Sequence, residues 1–140
     1  MAWIEEALPH STETVWNTGL VGTSVANHGD SLTIGREGGW APEDLVLLAA
    51  ESCFMSTLLE LAREASIDVL GYVSKAHLET KTPRGRGPSI VLMPCVVVGT
   101  PDDIARVHRL ATRVPRESIV AKLLNAHLQV TLDVRAVQPQ

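Results

Sequence analysis

A long helical stretch, from Pro42 to about Ser66, divides this chain of 140 residues. Pro42 is suited to a first helical position, and Glu43 and Asp44 are suited to the positive end of the helix dipole. The flanking segments are β-prone: residues 12–34 form short pieces punctuated by glycine, and residues 68–80 and 89–98 form two strands joined by a loop at 81–88. This order predicts an α+β fold with helices packed on a mostly antiparallel sheet.

The C-terminal part predicts two shorter helices and a last strand. Residues 100–103 resemble a helix start, Pro115 ends that helix, and a shorter helix follows with Asn125 as its C-cap. The predicted inward side chains of these helices are Ile104, Val107, Leu110 and Ala111, then Ile119, Val120, Leu123 and Leu124. Residues 128–135 alternate between apolar and polar, which predicts a strand of an antiparallel sheet with one wet face. Pro94 predicts an edge position or a bulge for the strand at 89–98.

Composition restricts the classes of function. The net charge of −4 and the few aromatic residues disfavour binding to nucleic acid. The N-terminal segment MAWIEEALPH is acidic where a signal peptide would be basic, and the longest apolar run, residues 45–50, is too short for a bilayer. We therefore expect one cytoplasmic domain over residues 1–140 that contacts neither nucleic acid nor a membrane.

Cys53 has an unusual position in the predicted helix. At about 100° per residue, it falls in the middle of the polar arc, which also holds Ser56, Thr57, Glu60, Arg63 and Glu64. The opposite arc is apolar and holds Phe54, Met55, Leu58, Leu59, Leu61, Ala62 and Ala65. A lone cysteine is most often a small buried hydrophobe, but this helical phase favours an accessible thiol.

The helical phase does not continue upstream of Cys53. Extrapolation turns Glu51 into the apolar arc and Val46 into the polar arc. Two alternatives follow: the helix breaks near Glu51 and Ser52, or its upstream part is buried on all sides. A break would place Cys53 in the first turn of a new helix, where backbone N–H groups stabilise a thiolate.

These residues resemble a known family. The segment has Pro42-Glu43-Asp44-Leu45, then a run of small residues, Cys53-Phe54 and LLELAREASIDV, and its cysteine follows the glutamate by ten residues. This pattern closely resembles the OsmC/Ohr family of osmotically inducible and organic-hydroperoxide-resistance proteins. The order of the later elements also fits, so that the resemblance covers nearly the whole chain.

The resemblance implies an intertwined homodimer in which the meander at 12–34 packs on the partner chain. It also implies a peroxidase that reduces organic hydroperoxides with an external thiol as reductant, without metal or cofactor. Cys53 would be the peroxidatic thiolate and Glu43 the carboxylate that orients a catalytic arginine. On one straight helix these two residues lie about 15 Å apart, so that the site needs the helix break, a bridging arginine or the partner chain.

Two positions depart from the family pattern. The family arginine comes from the N-terminal strands, but residues 1–35 hold no basic residue, so Arg36 is the candidate, with a solvated loop charge as the alternative. The second, resolving cysteine of the family is matched by Ser118. Cys95 lies in a different, apolar segment and is predicted to be buried.

Other kinds of site have little support. The five histidines lack metal-ligand spacing, no nucleotide-binding glycine pattern follows a strand, and Arg84-Gly85-Arg86 is best explained as a solvated hairpin tip. Three functions therefore remain: a one-cysteine thiol peroxidase in oxidative-stress defence, a catalytically degenerate protein that binds a hydrophobic small molecule, and a thiol-redox sensor. The first is favoured because Cys53 is on the polar arc and Glu43 is at the family spacing.

Overall fold

The computed structural model describes residues 10–80, 87–124 and 127–137. The chain forms two compact units, Met1–Val46 and Leu47–Gln140. The predicted hairpin loop falls mostly, and the predicted C-cap Asn125 entirely, outside the described residues. The single domain over residues 1–140 stays a prediction.

The first unit contains the predicted meander. Strands β1 (Thr12–Thr18), β2 (Val21–Ala26) and β3 (Ser31–Gly35) pair in this order, and both pairs are antiparallel. Gly35 ends β3 with φ +141°, and a Cβ there would overlap the Leu20 carbonyl oxygen. Only glycine fits this position, which sets the direction in which the chain leaves the sheet towards Arg36.

Helix α1 (Pro42–Glu64) is continuous, so the predicted break near Glu51 is wrong. The alternative of complete upstream burial is also wrong, because Val46 and Leu48 are exposed. The reason lies in the contacts of Glu51, which is half-buried and accepts a hydrogen bond from the Ser74 hydroxyl. A charged side chain can lie on the inward arc of a helix when a hydrogen-bond donor on the neighbouring element satisfies it.

The second unit is built on a four-stranded sheet. Strands β4 (Val69–Glu79) and β5 (Ser89–Val98) form the predicted antiparallel hairpin. The predicted last strand is instead two short strands, β6 (Leu128–Val130) and β7 (Asp133–Ala136), and both pair with β5 in parallel. The alternation at residues 128–135 correctly indicated β structure, but the predicted antiparallel pairing is wrong, and Val130, predicted to lie on the buried face, is 38% exposed.

Pro94 lies in the central strand β5, so the prediction of an edge or a bulge at this position is wrong. It stands opposite Ser74 of β4 in unbroken register. On the other side of β5, β6 pairs with residues 90–92 and β7 with residues 95–98. Pro94 therefore lies between the residues of β5 that pair with β6 and those that pair with β7. Because of this position, the missing N–H of proline removes no hydrogen bond from either parallel pairing.

Three short helices connect the hairpin to the last strands: α2 (Asp102–Ala111), α3 (Val114–Glu117) and α4 (Ile119–Leu124). Val107 of α2 and Val114 of α3 are fully buried. The prediction that Ile119 and Leu123 point inward is wrong, since these side chains are 71% and 78% exposed. Ala121 instead supplies the buried position of α4, because the helix is capped by Ser118 and begins at Ile119, a phase that the apolar pattern does not show.

The core of the second unit lies between the inner side of α1 and the sheet. It includes Phe54, Leu58, Leu61 and Ala62 of α1, together with residues of β5, α2, α3 and β7. By length and composition alone, α1 could also cross a membrane. The core helix of a globular protein meets the same criterion, and the burial of these four side chains fits that explanation.

Candidate functional site

Cys53 lies on α1 and is half-buried. Its Sγ atom is 2.6 Å from Oγ of Ser118, 65 residues further along the chain. The sequence places Cys53 on the polar arc of the helix, and the structure shows that this part of the arc is covered by the segment between α3 and α4. The thiol thus faces a specific polar partner.

Ser118 is held firmly by its local structure. It is only 2% exposed and has extended backbone angles between α3 and α4. Its N–H donates to the Val114 carbonyl at 2.9 Å, and its own carbonyl accepts from the Lys122 N–H at 3.1 Å. Its hydroxyl oxygen accepts from the Ala121 N–H at 3.2 Å, as an N-cap side chain does. The hydroxyl is therefore fixed beside the thiol independently of Cys53.

Cys95 lies elsewhere, on β5. The prediction that it is buried is wrong, because its side chain is half-buried. It stands opposite Val73, which is 64% exposed, and so belongs to the outer face of the hairpin, whereas the neighbouring Val96 is fully buried. Its Sγ atom is 3.9 Å from Oδ2 of Asp133. Both cysteines are free thiols.

Arg36 and Glu43 form an ion pair in the first unit. Nη1 of Arg36 is 3.2 Å from each carboxylate oxygen of Glu43, and the two side chains are 61% and 47% exposed. The pKa of Glu43 is lowered, first by its hydrogen bond to backbone N–H at the helix start and then by Arg36. The structure thus brings together two of the three predicted site residues, while Cys53, in the second unit, contacts Ser118.

Sequence reasoning missed a polar contact between α1 and β4. Ser74 donates a hydrogen bond to Oε2 of Glu51. The hydroxyl of Tyr72 is buried and has no hydrogen-bond partner among the described residues. Burial raises the pKa of Tyr72 well above its usual value, and the negative charge of Glu51 adds to this effect. The unexpected inward phase of Glu51 was the signal that could have revealed this contact.

Within residues 10–80, 87–124 and 127–137, no group of three or more His, Cys, Asp or Glu side chains could hold a metal ion. The chemistry available to the described groups around Cys53 is that of a thiol beside a hydroxyl. A thiol reacts as its thiolate, and a hydroxyl can donate one hydrogen bond to it.

Comparisons with known proteins agree with this architecture. The family model described as OsmC-like protein matches residues 35–133. No curated protein matches the sequence significantly. Among solved structures, an OsmC-like protein of unknown function from Vibrio cholerae has a TM-score of 0.76 at 16% identity, with 89% of this chain and 99% of that chain covered.

Two further structures come from proteins linked to hydroperoxide resistance. The organic hydroperoxide resistance protein OhrB of Bacillus subtilis has a TM-score of 0.63 at 18% identity, with 91% of this chain and 98% of that chain covered. A Vibrio cholerae protein assigned to the same function, solved with captopril in one of its active sites, has a TM-score of 0.61 at 18% identity, with 91% and 93% covered. At such identities the likeness shows the fold alone.

Proposed function

Because this chain belongs to the OsmC-like protein family, we propose that it is a thiol-dependent peroxidase that reduces organic hydroperoxides through Cys53. Its role would be in oxidative-stress defence. The observation that carries the proposal is the placement of the half-buried Cys53 thiol, 2.6 Å from a fixed hydroxyl. The hydroperoxide resistance named for two structures of the same fold supports the class of substrate.

The proposed reaction uses one protein thiol. The Cys53 thiolate attacks one peroxide oxygen, the O–O bond breaks, and the substrate leaves as an alcohol after taking up a proton. The cysteine is oxidised to a sulfenic acid. One external thiol then displaces water to form a mixed disulfide, and a second thiol releases the reduced cysteine together with an external disulfide.

Arg36 and Glu43 have the contact that the family resemblance implies for a catalytic arginine and its orienting carboxylate. Because α1 is continuous, Glu43 lies about 15 Å from Cys53 of its own chain, so we propose that Arg36 and Glu43 act at a site completed by the partner chain of the dimer. The competing explanation is a solvated surface pair, which contributes little to stability. Replacement of Arg36 by alanine separates these explanations: a catalytic arginine predicts a loss of peroxide turnover, and a surface pair predicts none.

We further propose that the protein is a homodimer in the cytoplasm. Every residue of β1 is exposed, including Val15 at 53% and Trp16 at 73%, which leaves apolar surface that a second copy would cover. Two free thiols fit a reducing compartment. Light scattering after gel filtration should give about twice 15.1 kDa, and a stable monomer would contradict the dimer.

The test of the function is hydroperoxide consumption by the wild type, Cys53→Ser and the matched control Cys95→Ser, each with dithiol and with monothiol reductants. We expect turnover in the wild type and in Cys95→Ser, and none in Cys53→Ser. If Cys53 is oxidised without sustained turnover, a redox sensor is favoured. If no oxidation occurs, the peroxidase is excluded and a ligand-binding protein remains.

A further inference from the structure

We propose that the Ser118 hydroxyl is a catalytic hydrogen-bond donor to Sγ of Cys53, which stabilises the thiolate that attacks the peroxide. The inference deepens the proposed function and rests on it for the identity of the reacting atom. Ser118 touches that atom, at 2.6 Å. Ser118 thus does more than take the place of the family's second thiol, because its hydroxyl can donate a hydrogen bond to the reactive sulfur.

The direction of this hydrogen bond follows from the protons and lone pairs that the hydroxyl and the thiolate each have. A serine hydroxyl has one proton to donate and two lone pairs that accept. The Ala121 N–H already donates to Oγ, so it occupies one lone pair and leaves the hydroxyl proton free. A thiolate has no proton. In the reactive state of Cys53, therefore, the hydroxyl is the only possible donor of the pair.

The position of Ser118 makes this donor effective. The residue is 2% exposed, and hydrogen bonds are stronger where water does not compete. Its backbone is held on both sides by hydrogen bonds to Val114 and Lys122. A donor that is fixed before the reaction needs no reorganisation when Cys53 loses its proton and charge develops on the sulfur, so it favours the thiolate that attacks the peroxide.

Ser118 also caps α4, so a useful experiment must separate the two roles. Loss of an N-cap lowers stability, but it does not by itself change the ionisation of a thiol. Ser118→Ala removes both the donor and the cap. Ser118→Thr keeps a hydroxyl for both, so it is the conservative variant that should restore the behaviour of the wild type.

The assay is the rate of Cys53 alkylation by iodoacetamide across pH, in a Cys95→Ser background. We expect Ser118→Ala to react about threefold more slowly at neutral pH, because loss of a hydrogen bond to a charged group disfavours the thiolate about tenfold, while the thiolate that forms is about threefold more nucleophilic. Ser118→Thr should stay near the wild type. Both variants keep every charged side chain of the neighbouring elements, which are Glu43, Asp44, Glu51, Glu60, Arg63 and Glu64 on α1, Arg116 and Glu117 on α3, and Lys122 on α4.

Identical profiles for the wild type and Ser118→Ala would overturn the inference, even if the variant is less stable. Should the variants not fold, neutron diffraction of the wild type above the midpoint of its alkylation rate–pH profile decides the matter. Deuterium between Oγ and Sγ supports the donor role, and deuterium directed elsewhere refutes it. The assay needs no peroxide, so a donor effect without peroxide turnover would refute the proposed function and leave the hydrogen bond established.

Discussion

Restoring a second thiol at Ser118 should turn the Cys53 site into a disulfide-forming pair. Oγ of Ser118 already lies 2.6 Å from Sγ of Cys53, and a disulfide needs its sulfur atoms about 2.05 Å apart. In Ser118→Cys, with Cys95→Ser as background, an equimolar organic hydroperoxide should therefore remove two hydrogens from a single chain. Ser118→Ala in the same background is the control that should not form this bond.

The effect on stability can be worked out from the separation of the two positions, which is 65 residues. Closing a loop of this length lowers the entropy of the unfolded chain enough to stabilise the fold by about 4 kcal/mol. In the reduced form, loss of the serine cap should instead cost about 1 kcal/mol. Urea unfolding of the oxidised and reduced variant measures both effects. A folded variant whose introduced thiol stays free after peroxide would refute the geometry described for this site.

Three further predictions concern groups around α1. Ser74→Ala removes the hydrogen-bond donor of the Glu51 carboxylate, so urea unfolding should show that the free energy of unfolding falls by about 2 kcal/mol. The added change Glu51→Leu should largely restore this stability. An unchanged free energy of unfolding in Ser74→Ala would contradict the contact. Burial raises the pKa of Tyr72 in the folded protein above its usual 10.0, so the stability of the wild type should fall as the pH rises above 10.0. The stability of Tyr72→Phe should not show this fall. The same dependence on pH in both proteins would count against a buried hydroxyl. The pKa of Glu43 is lowered from 4.5, so the stabilising effect of its carboxylate is present above pH 4.5 and is lost as the pH falls further. Arg36→Ala should raise the pKa of this carboxyl group as measured by NMR. An unchanged value would mean that the ion pair does not form in solution.

The sequence predicts the elements whose signals are local. The meander, α1 and the hairpin of β4 and β5 follow from turn residues, a proline start and apolar periodicity, and the structure confirms all of them. The parallel pairing of β6 and β7 with β5 could not be predicted in this way, because the partner of a strand is chosen by contacts between distant parts of the chain.

The same limit applies to Glu51 and Ser118. The inward phase of Glu51 suggested a helix break because the sequence does not show that Ser74, 23 residues away, supplies a hydrogen bond. Ser118 was identified only as the residue in the place of a second cysteine. Its contact with Cys53 and its role as a helix cap emerge once α3 and α4 are folded, since both depend on the extended backbone between these helices.

The state of Cys53 after oxidation tests the central claim most directly. Intact-mass spectrometry of the wild type, after an equimolar organic hydroperoxide and without reductant, should show a gain of one oxygen that dimedone captures as an adduct on Cys53. With Ser118 beside the sulfur and no thiol there, the sulfenic acid should persist, and excess hydroperoxide should carry it to the sulfinic acid. A loss of two hydrogens from a single chain would show a bond between Cys53 and Cys95 and contradict the one-cysteine mechanism. An unchanged mass, in protein whose Cys53 is still alkylated by iodoacetamide, would contradict the peroxidase itself.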